Sequence, residues 1–188
     1  MRVLRADQHK RMPWKNGGGE TVEIAVFPEG AGLDDFDWRV SMARVDGDGP
    51  FSSFPGIDRT LAILEGSGMV LDIEGRASVR LTLEAAPYPF PADLPTSATL
   101  IGGTVIDFNV MSRRGKVAHE VGRHSEAMTS SSGTMRLVLG SEGSLEIVVA
   151  GQRITIGQRD AAVLESTDAA ELLPGGGGEF YLVTIRAA

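Results

Sequence analysis

Arg59-Thr60-Leu61-Ala62-Ile63-Leu64-Glu65-Gly66-Ser67-Gly68-Met69-Val70-Leu71-Asp72-Ile73-Glu74-Gly75 reads as strand, hairpin, strand, hairpin. Arg59–Leu64 is the first strand. Glu65-Gly66-Ser67-Gly68 closes it into Met69–Ile73, and Glu74-Gly75 closes that strand into Ala77–Leu83. A similar pattern recurs later: Leu137-Val138-Leu139-Gly140-Ser141-Glu142-Gly143, then a strand and Gly151. A repeat of this kind implies duplication of a β unit.

Outward from this stretch, period-two alternation dominates. In Thr21–Phe27 the apolar Val22, Ile24 and Val26 are expected on one face, opposite Thr21 and Glu23. In Phe36–Val45, Trp38, Val40 and Met42 oppose Arg39, Ser41 and Ala43. In Thr104–Ser112, Ile106, Phe108 and Val110 oppose Asp107, Asn109 and Met111. Ala86–Pro95 carries four prolines and is expected to be an extended connector. Gly115–Gly133 is polar and expected to be an exposed excursion. Strands are expected at Met135–Leu139, Ser144–Val149, Arg153–Ile156, Ala161–Leu164 and Phe180–Ile185. Gly140–Gly143, Ala150–Gly151 and Pro174–Gly178 are read as turns, and Thr167–Leu173 as at most one helical turn. The 24 glycines and 9 prolines suit many short strands. The chain therefore reads as all-β, a sandwich, jelly roll or barrel.

Composition narrows the function classes. The 188 residues are 42% hydrophobic, enough for a real core. Net charge is −7, with no dense Lys/Arg run, which argues against a nucleic-acid partner. Cysteine is absent, so disulfides and thiolate metal sites are impossible, and a cytoplasmic location fits. Met1–Lys10 lacks the apolar segment of a secretory signal. No apolar run approaches the roughly 20 residues of a membrane helix, so no membrane partner is expected.

Several groups can carry chemistry. Gly17-Gly18-Gly19 either turns a tight corner before a strand or offers backbone N–H groups as an anion nest. No helix follows and no Gly-Lys-Ser/Thr occurs, which argues against a nucleotide site. Thr21, Glu23, Arg39, Ser41, Asp107 and Asn109 share polar strand faces, and Arg59 opens the strand of the first hairpin. These faces are either wet, as on many half-buried strands, or they converge on a polar pocket. In a pocket, Arg39 and Arg59 can grip a carboxylate. Glu23 and Asp107 are the candidates for proton transfer. Phe51-Ser52-Ser53-Phe54-Pro55-Gly56 either walls a pocket or plugs a core. The histidines are His9, His119 and His124, and the last two fall in the expected excursion, read as solvated. No metal and no other cofactor is expected.

Trp14-Lys15-Asn16-Gly17-Gly18-Gly19, then Thr21 and Glu23-Ile24-Ala25, resembles the opening motif of the HutD/Ves family. Trp38-Arg39-Val40-Ser41-Met42-Ala43, Gly49-Pro50-Phe51-Ser52, Phe54-Pro55-Gly56-Ile57-Asp58-Arg59-Thr60, the Gly66-Ser67-Gly68-Met69 turn and Asp107-Phe108-Asn109-Val110-Met111-Ser112-Arg113 continue the resemblance in order. The resemblance implies a bicupin: two tandem cupin-like β-barrels or jelly rolls packed as one compact unit, without the usual metal ligands. The expected division is 1–113 and 114–188, with the strand at 104–112 open to either side. It also implies a regulatory binding protein linked to histidine utilisation. Its ligand would be a small carboxylate such as formimidoylglutamate, formylglutamate or urocanate.

On this reading Arg39, Arg59 and Arg113 hold the carboxylate. Asn16, Gly18, Thr21, Glu23, Ser41 and Asn109 orient its polar end, and Trp14 and Phe54 wall the site. The alternative is a metal-independent isomerase or hydrolase on the same ligands, with Glu23 or Asp107 as acid–base residue. The expected partner is a small carboxylate or imidazole-type molecule, and the reading allows a homodimer.

Overall fold

The computed structural model describes residues 1–15 and 17–188. The strands in chain order are β1 (Arg2–Leu4), β2 (Lys10–Pro13), β3 (Gly19–Phe27), β4 (Trp38–Val45), β5 (Gly49–Pro50), β6 (Ile57–Glu65), β7 (Met69–Ile73), β8 (Val79–Leu81) and β9 (Tyr88–Pro91). They continue with β10 (Thr96–Leu100), β11 (Val105–Arg113), β12 (Val117–His124), β13 (Met128–Ser130), β14 (Met135–Val149), β15 (Gln152–Ile156), β16 (Ala161–Leu164) and β17 (Ala170–Ala187). The only helix among the described residues is a short 3-10 turn at Ala6–Gln8. No helix there is long and apolar enough to cross a membrane.

The chain divides into two compact units, residues 10–118 with Ala188, and residues 1–9 with 119–187. The expected division at 113/114 left the first nine residues with the first unit. They belong to the second, because β1 pairs antiparallel with β16.

In the 10–118 unit one sheet runs β2-β3-β4-β11-β6-β9 and another β5-β10-β7-β8. Ala43, Val45, Leu61, Ile63, Met69, Leu71, Leu81, Ala98 and Val105 form a single buried apolar cluster. Burial of a large aliphatic side chain contributes about 1.5–3 kcal/mol, so this cluster anchors the unit. The proline-rich segment supplies β9 at the sheet edge, where Pro89 and Pro91 cost least because an edge needs fewer N–H donors. One facing differs from the alternation. A bulge between Glu23 and Ala25 reverses the rest of β3. Val26 therefore registers with Arg39 and packs with Phe36, Ile57 and Met111, on the opposite side from Val22.

In the other unit β14 and β17 pair along nearly their whole lengths. Gly140–Gly143 and Pro174–Gly178 are not separate turns but lie inside these long strands, across two register shifts. Their glycines serve close approach. A Cβ on Gly140 would sit 2.3 Å from the Gly157 carbonyl oxygen, and one on Gly178 would sit 2.7 Å from that of Ser144. Ala170–Leu173 is strand, not helix. The expected excursion instead contributes β12 and β13, both on β17. His119 and His124 lie in β12, and the His124 ring stacks on Phe180 with centroids 5.4 Å apart. Neither is the solvated loop histidine expected from its polar neighbours.

Candidate functional site

Strand register aligns the polar residues of the first unit in rows. Thr21, Ala43, Asp107 and Ile63 are successive partners across β3, β4, β11 and β6. One step along, Glu23, Ser41, Asn109 and Leu61 form the next row, and one further step aligns Arg39, Met111, Arg59 and Phe90. Cross-strand partners share a face. The face that is apolar at Ala43, Val45, Leu61 and Ile63 thus turns polar along the same strands. There it borders a cavity of about 590 Å3 within the 10–118 unit, a size that suits a small molecule.

The polar face is dry. Arg39 and Arg59 are each 5% exposed, Ser41 3%, Asp107 2% and Asn109 7%. A wet outer face is therefore ruled out for these residues.

The two arginines have different surroundings. Arg39 Nε donates to Glu23 Oε2 at 2.7 Å, so its charge is already matched. Arg59 has no carboxylate within ion-pair distance among the described residues. One terminal nitrogen of Arg59 lies 4.0 Å from Met111 Sδ, and its buried Nε has no hydrogen-bond partner there. Its guanidinium stacks against Phe51, Phe54 and Phe90 at 5.2, 5.4 and 5.9 Å. Such contacts stabilise a buried cation without supplying a hydrogen-bond acceptor. Burial lowers the Arg59 pKa to about 10, opposed by the charge of Asp107 and reinforced by that of Arg39. It remains a cation at neutral pH.

Asp107 is the opposite case. Burial pushes its carboxyl up to about 7, against the pull of Arg59, the Asn109 side chain and the Ala43 backbone. Asn109 Nδ2 donates to Asp107 Oδ1 at 2.6 Å. The cavity thus holds an unmatched cation and a carboxyl that titrates near neutrality.

A stability prediction follows from the sign of this shift. The folded protein binds a proton at Asp107 that the unfolded chain has released between the ordinary aspartate pKa, ~3.9, and the folded value. Wild-type stability is therefore expected to lose this contribution as pH rises from about 4 to about 7. Asp107→Asn should flatten that part of the profile. Urea midpoints measured across this range check it, and an identical slope in both proteins rejects the shift.

Trp14, Thr21, Arg39, Ser41, Phe54, Arg59, Asp107 and Asn109 all border the cavity. Trp14 Nε1 donates to Thr21 Oγ1 at 2.8 Å. Glu23 does not border the cavity; it backs Arg39. Gly18 also lies off the wall, and Asn16 lies outside the described residues. Gly17 N–H donates to the Trp14 carbonyl at 3.0 Å, and Trp14 N–H donates to Gly19 O at 2.9 Å. The triplet closes the hairpin between β2 and β3, and Gly17 has φ +71°. A Cβ on Gly19 would lie 2.1 Å from the Arg44 carbonyl oxygen of β4 and would also press the Trp14 ring at 3.0 Å. Here the glycines seat Trp14, and the Gly17 amide is turned to the hairpin, not to an anion.

Arg113 is also elsewhere. Its guanidinium donates to the carbonyls of Phe36 and Asp34, each at 2.9 Å, and stacks on Phe36. It is one residue beyond the inward-facing Met111 plus one, but its side chain is spent on the 34–36 loop. Phe51, from the stretch expected either to wall a pocket or to plug a core, borders the cavity, whereas Phe90, Met111, Met12, Leu33 and Lys15 were not singled out as site residues from the sequence. Met111 was legible, since it alternates with Asp107 and Asn109. Phe90 was not, because only the β6–β9 register brings it to Arg59.

The family model HutD matches residues 6–182. An uncharacterised 21.2 kDa protein in the hutC 3' region of Pseudomonas putida is 35% identical over 171 residues, covering 89% of this chain and 88% of that protein. Protein Ves of Citrobacter koseri is 36% identical over 147 residues, covering 76% and 71%. The structure of HutD from Pseudomonas fluorescens SBW25, in a formate condition, superposes with TM-score 0.85 at 30% identity, covering 100% and 98%. A cupin 2 conserved barrel domain protein from Leptotrichia buccalis matches with TM-score 0.57 at 12% identity, covering 89% and 88%, a likeness of fold alone.

Proposed function

Because this chain belongs to the HutD family and has the bicupin fold, we propose that it is a metal-independent binding protein for a small carboxylate, with a regulatory role tied to histidine utilisation. One observation carries the reading: Arg59 is a buried cation on the cavity wall with no matching anion among the described residues. A buried charge is costly unless paired and hydrogen-bonded. A ligand carboxylate supplies both the counter-charge and the missing acceptor. The aromatic rings around Arg59 fix the guanidinium plane, so less ordering entropy is lost on binding. The polar row of Ser41 and Asn109 then faces the remainder of the ligand.

Formimidoylglutamate, formylglutamate and urocanate satisfy this chemistry, and formate is the minimal probe. Calorimetry is expected to show one site per chain for at least one of the three, and none for its carboxamide analogue. Equal affinity for acid and carboxamide rejects the carboxylate reading.

A second reading as an enzyme is favoured by Asp107, a buried carboxyl poised near neutrality within the cavity. Glu23 is a poorer acid–base candidate because it is committed to Arg39. The binding reading expects each compound to be recovered unchanged after incubation, as followed by NMR. Turnover that disappears in Asp107→Asn would select the enzyme.

A further inference from the structure

We infer that Asp107 is a specificity-determining residue of the cavity: it enters the bound complex as a neutral acid, donates its O–H to an acceptor on the ligand, and makes anion binding at Arg59 take up a proton. The inference rests on the carboxylate reading above and deepens it.

The geometry leaves Asp107 unusual among the acids of the unit. It stands on β11 between Ala43 and Ile63, at the step where the inner face turns from apolar to polar. Asn109 is its one side-chain partner among the described residues. No cation lies within ion-pair distance of it there. Each packed element contributes its charges as follows. Arg59 comes from β6. Arg39 comes from β4 and Glu23 from β3, and these two neutralise each other at 2.7 Å. Lys15 reaches the cavity from the β2–β3 hairpin. Arg59 is thus the cation whose charge acts on Asp107, from beyond ion-pair distance.

A ligand carboxylate on Arg59 changes that balance twice. It cancels the charge that favours ionised Asp107, and it places a second negative charge in the same dry space. Two carboxylates sharing a buried site do not both stay ionised. The ligand keeps its charge because it holds the guanidinium. The proton therefore goes to Asp107. The neutral acid still accepts from Asn109 and gains one donor. The ligand class follows: a carboxylate whose second group is a hydrogen-bond acceptor, such as a carbonyl or an unprotonated ring nitrogen. An amidinium or ammonium at that position would set donor against donor.

The test is calorimetry with formylglutamate at pH 7.5 in phosphate and in Tris, whose ionisation heats differ. A group titrating near neutrality is about three-quarters ionised there, so roughly 0.7 proton should be taken up per ligand. Asp107→Asn should bind with no proton uptake, and its Kd should stay level between pH 7 and 8.5 while that of the wild type weakens roughly 15-fold. Ligand heat with less than about 0.1 proton overturns this inference and leaves the carboxylate reading standing. Uptake that persists in Asp107→Asn also overturns it. An absence of heat with formylglutamate, formimidoylglutamate, urocanate and formate overturns both. If the variant does not fold, the infrared band of a protonated carboxyl decides. It must grow on ligand addition to the wild-type protein.

Discussion

Arg59→Met is expected to lose ligand binding and to melt no lower than the wild-type protein. The two effects have one cause. Arg59 is 5% exposed, and no anion matches it among the described residues. In the free protein its desolvation is offset by the rings of Phe51, Phe54 and Phe90 and by the charge of Asp107 beyond ion-pair distance. Methionine keeps the length of the stem and offers a polarisable sulfur to the same rings. It removes the buried Nε that lacks a hydrogen-bond partner. Replacing buried charge by well-packed apolar atoms is often neutral or stabilising by about 1–4 kcal/mol. Binding moves the other way. Truncating one partner of a buried charge pair costs about 2–5 kcal/mol, or at least roughly 30-fold in Kd. A thermal melt and a titration on the same sample check both. A variant that binds normally removes Arg59 from the site; one that melts far lower makes Arg59 a structural residue.

The second large effect concerns the turn between β6 and β7, which is not the hairpin expected from Glu65–Gly68: β6 lies in the six-stranded sheet and β7 in the four-stranded one, so the turn carries the chain from one sheet to the other. Gly68 has φ +95°, and a Cβ there would lie 2.0 Å from the carbonyl oxygen of Leu81. Strain and overlap add. Gly68→Ala must force the β6–β7 turn away from β8, whose Leu81 pairs with Met69 and lies in the apolar cluster. The expected loss is more than about 3 kcal/mol. Gly75 closes the next hairpin with φ +74°, but nothing lies within 4 Å of its would-be Cβ. Gly75→Ala therefore meets backbone strain alone, about 1–2 kcal/mol. Urea midpoints of the two variants should differ clearly. Equal losses would show that close approach to β8 is not what demands glycine at 68.

Period-two alternation made the strands of the first unit legible, because a half-polar strand announces its faces residue by residue. Arg39, Ser41, Asp107 and Asn109 were found this way. What alternation does not carry is the destination of a face. The same pattern describes a wet surface and a dry cavity, and only the assembled sheets decide between them. Glu23 shows a second limit. Its face is as expected, but its pairing with Arg39 depends on the β3–β4 register, which the bulge near Ile24 helps set. Glycine was the most ambiguous letter. Gly17 turns a hairpin, Gly68 both turns the chain between sheets and admits the Leu81 backbone, and Gly140 and Gly178 sit within strands to admit another backbone. Their local sequences look alike, and the difference lies in partners far along the chain. Arg113 and the 115–133 segment fail for the same non-local reason.

The pairing of β1 with β16 has a consequence for synthesis. Arg2, Val3 and Leu4 register with Val163, Ala162 and Ala161. During synthesis β1 emerges well before β16 and has no partner strand until Ala161–Val163 have followed. The 10–118 unit contains its own strands and can fold in that interval. The other unit closes only when β1 meets β16, a contact between strands far apart in sequence, which makes it slow to form. A chain stalled before residue 161 would carry the strands that border the cavity while β1 still lacked its partner.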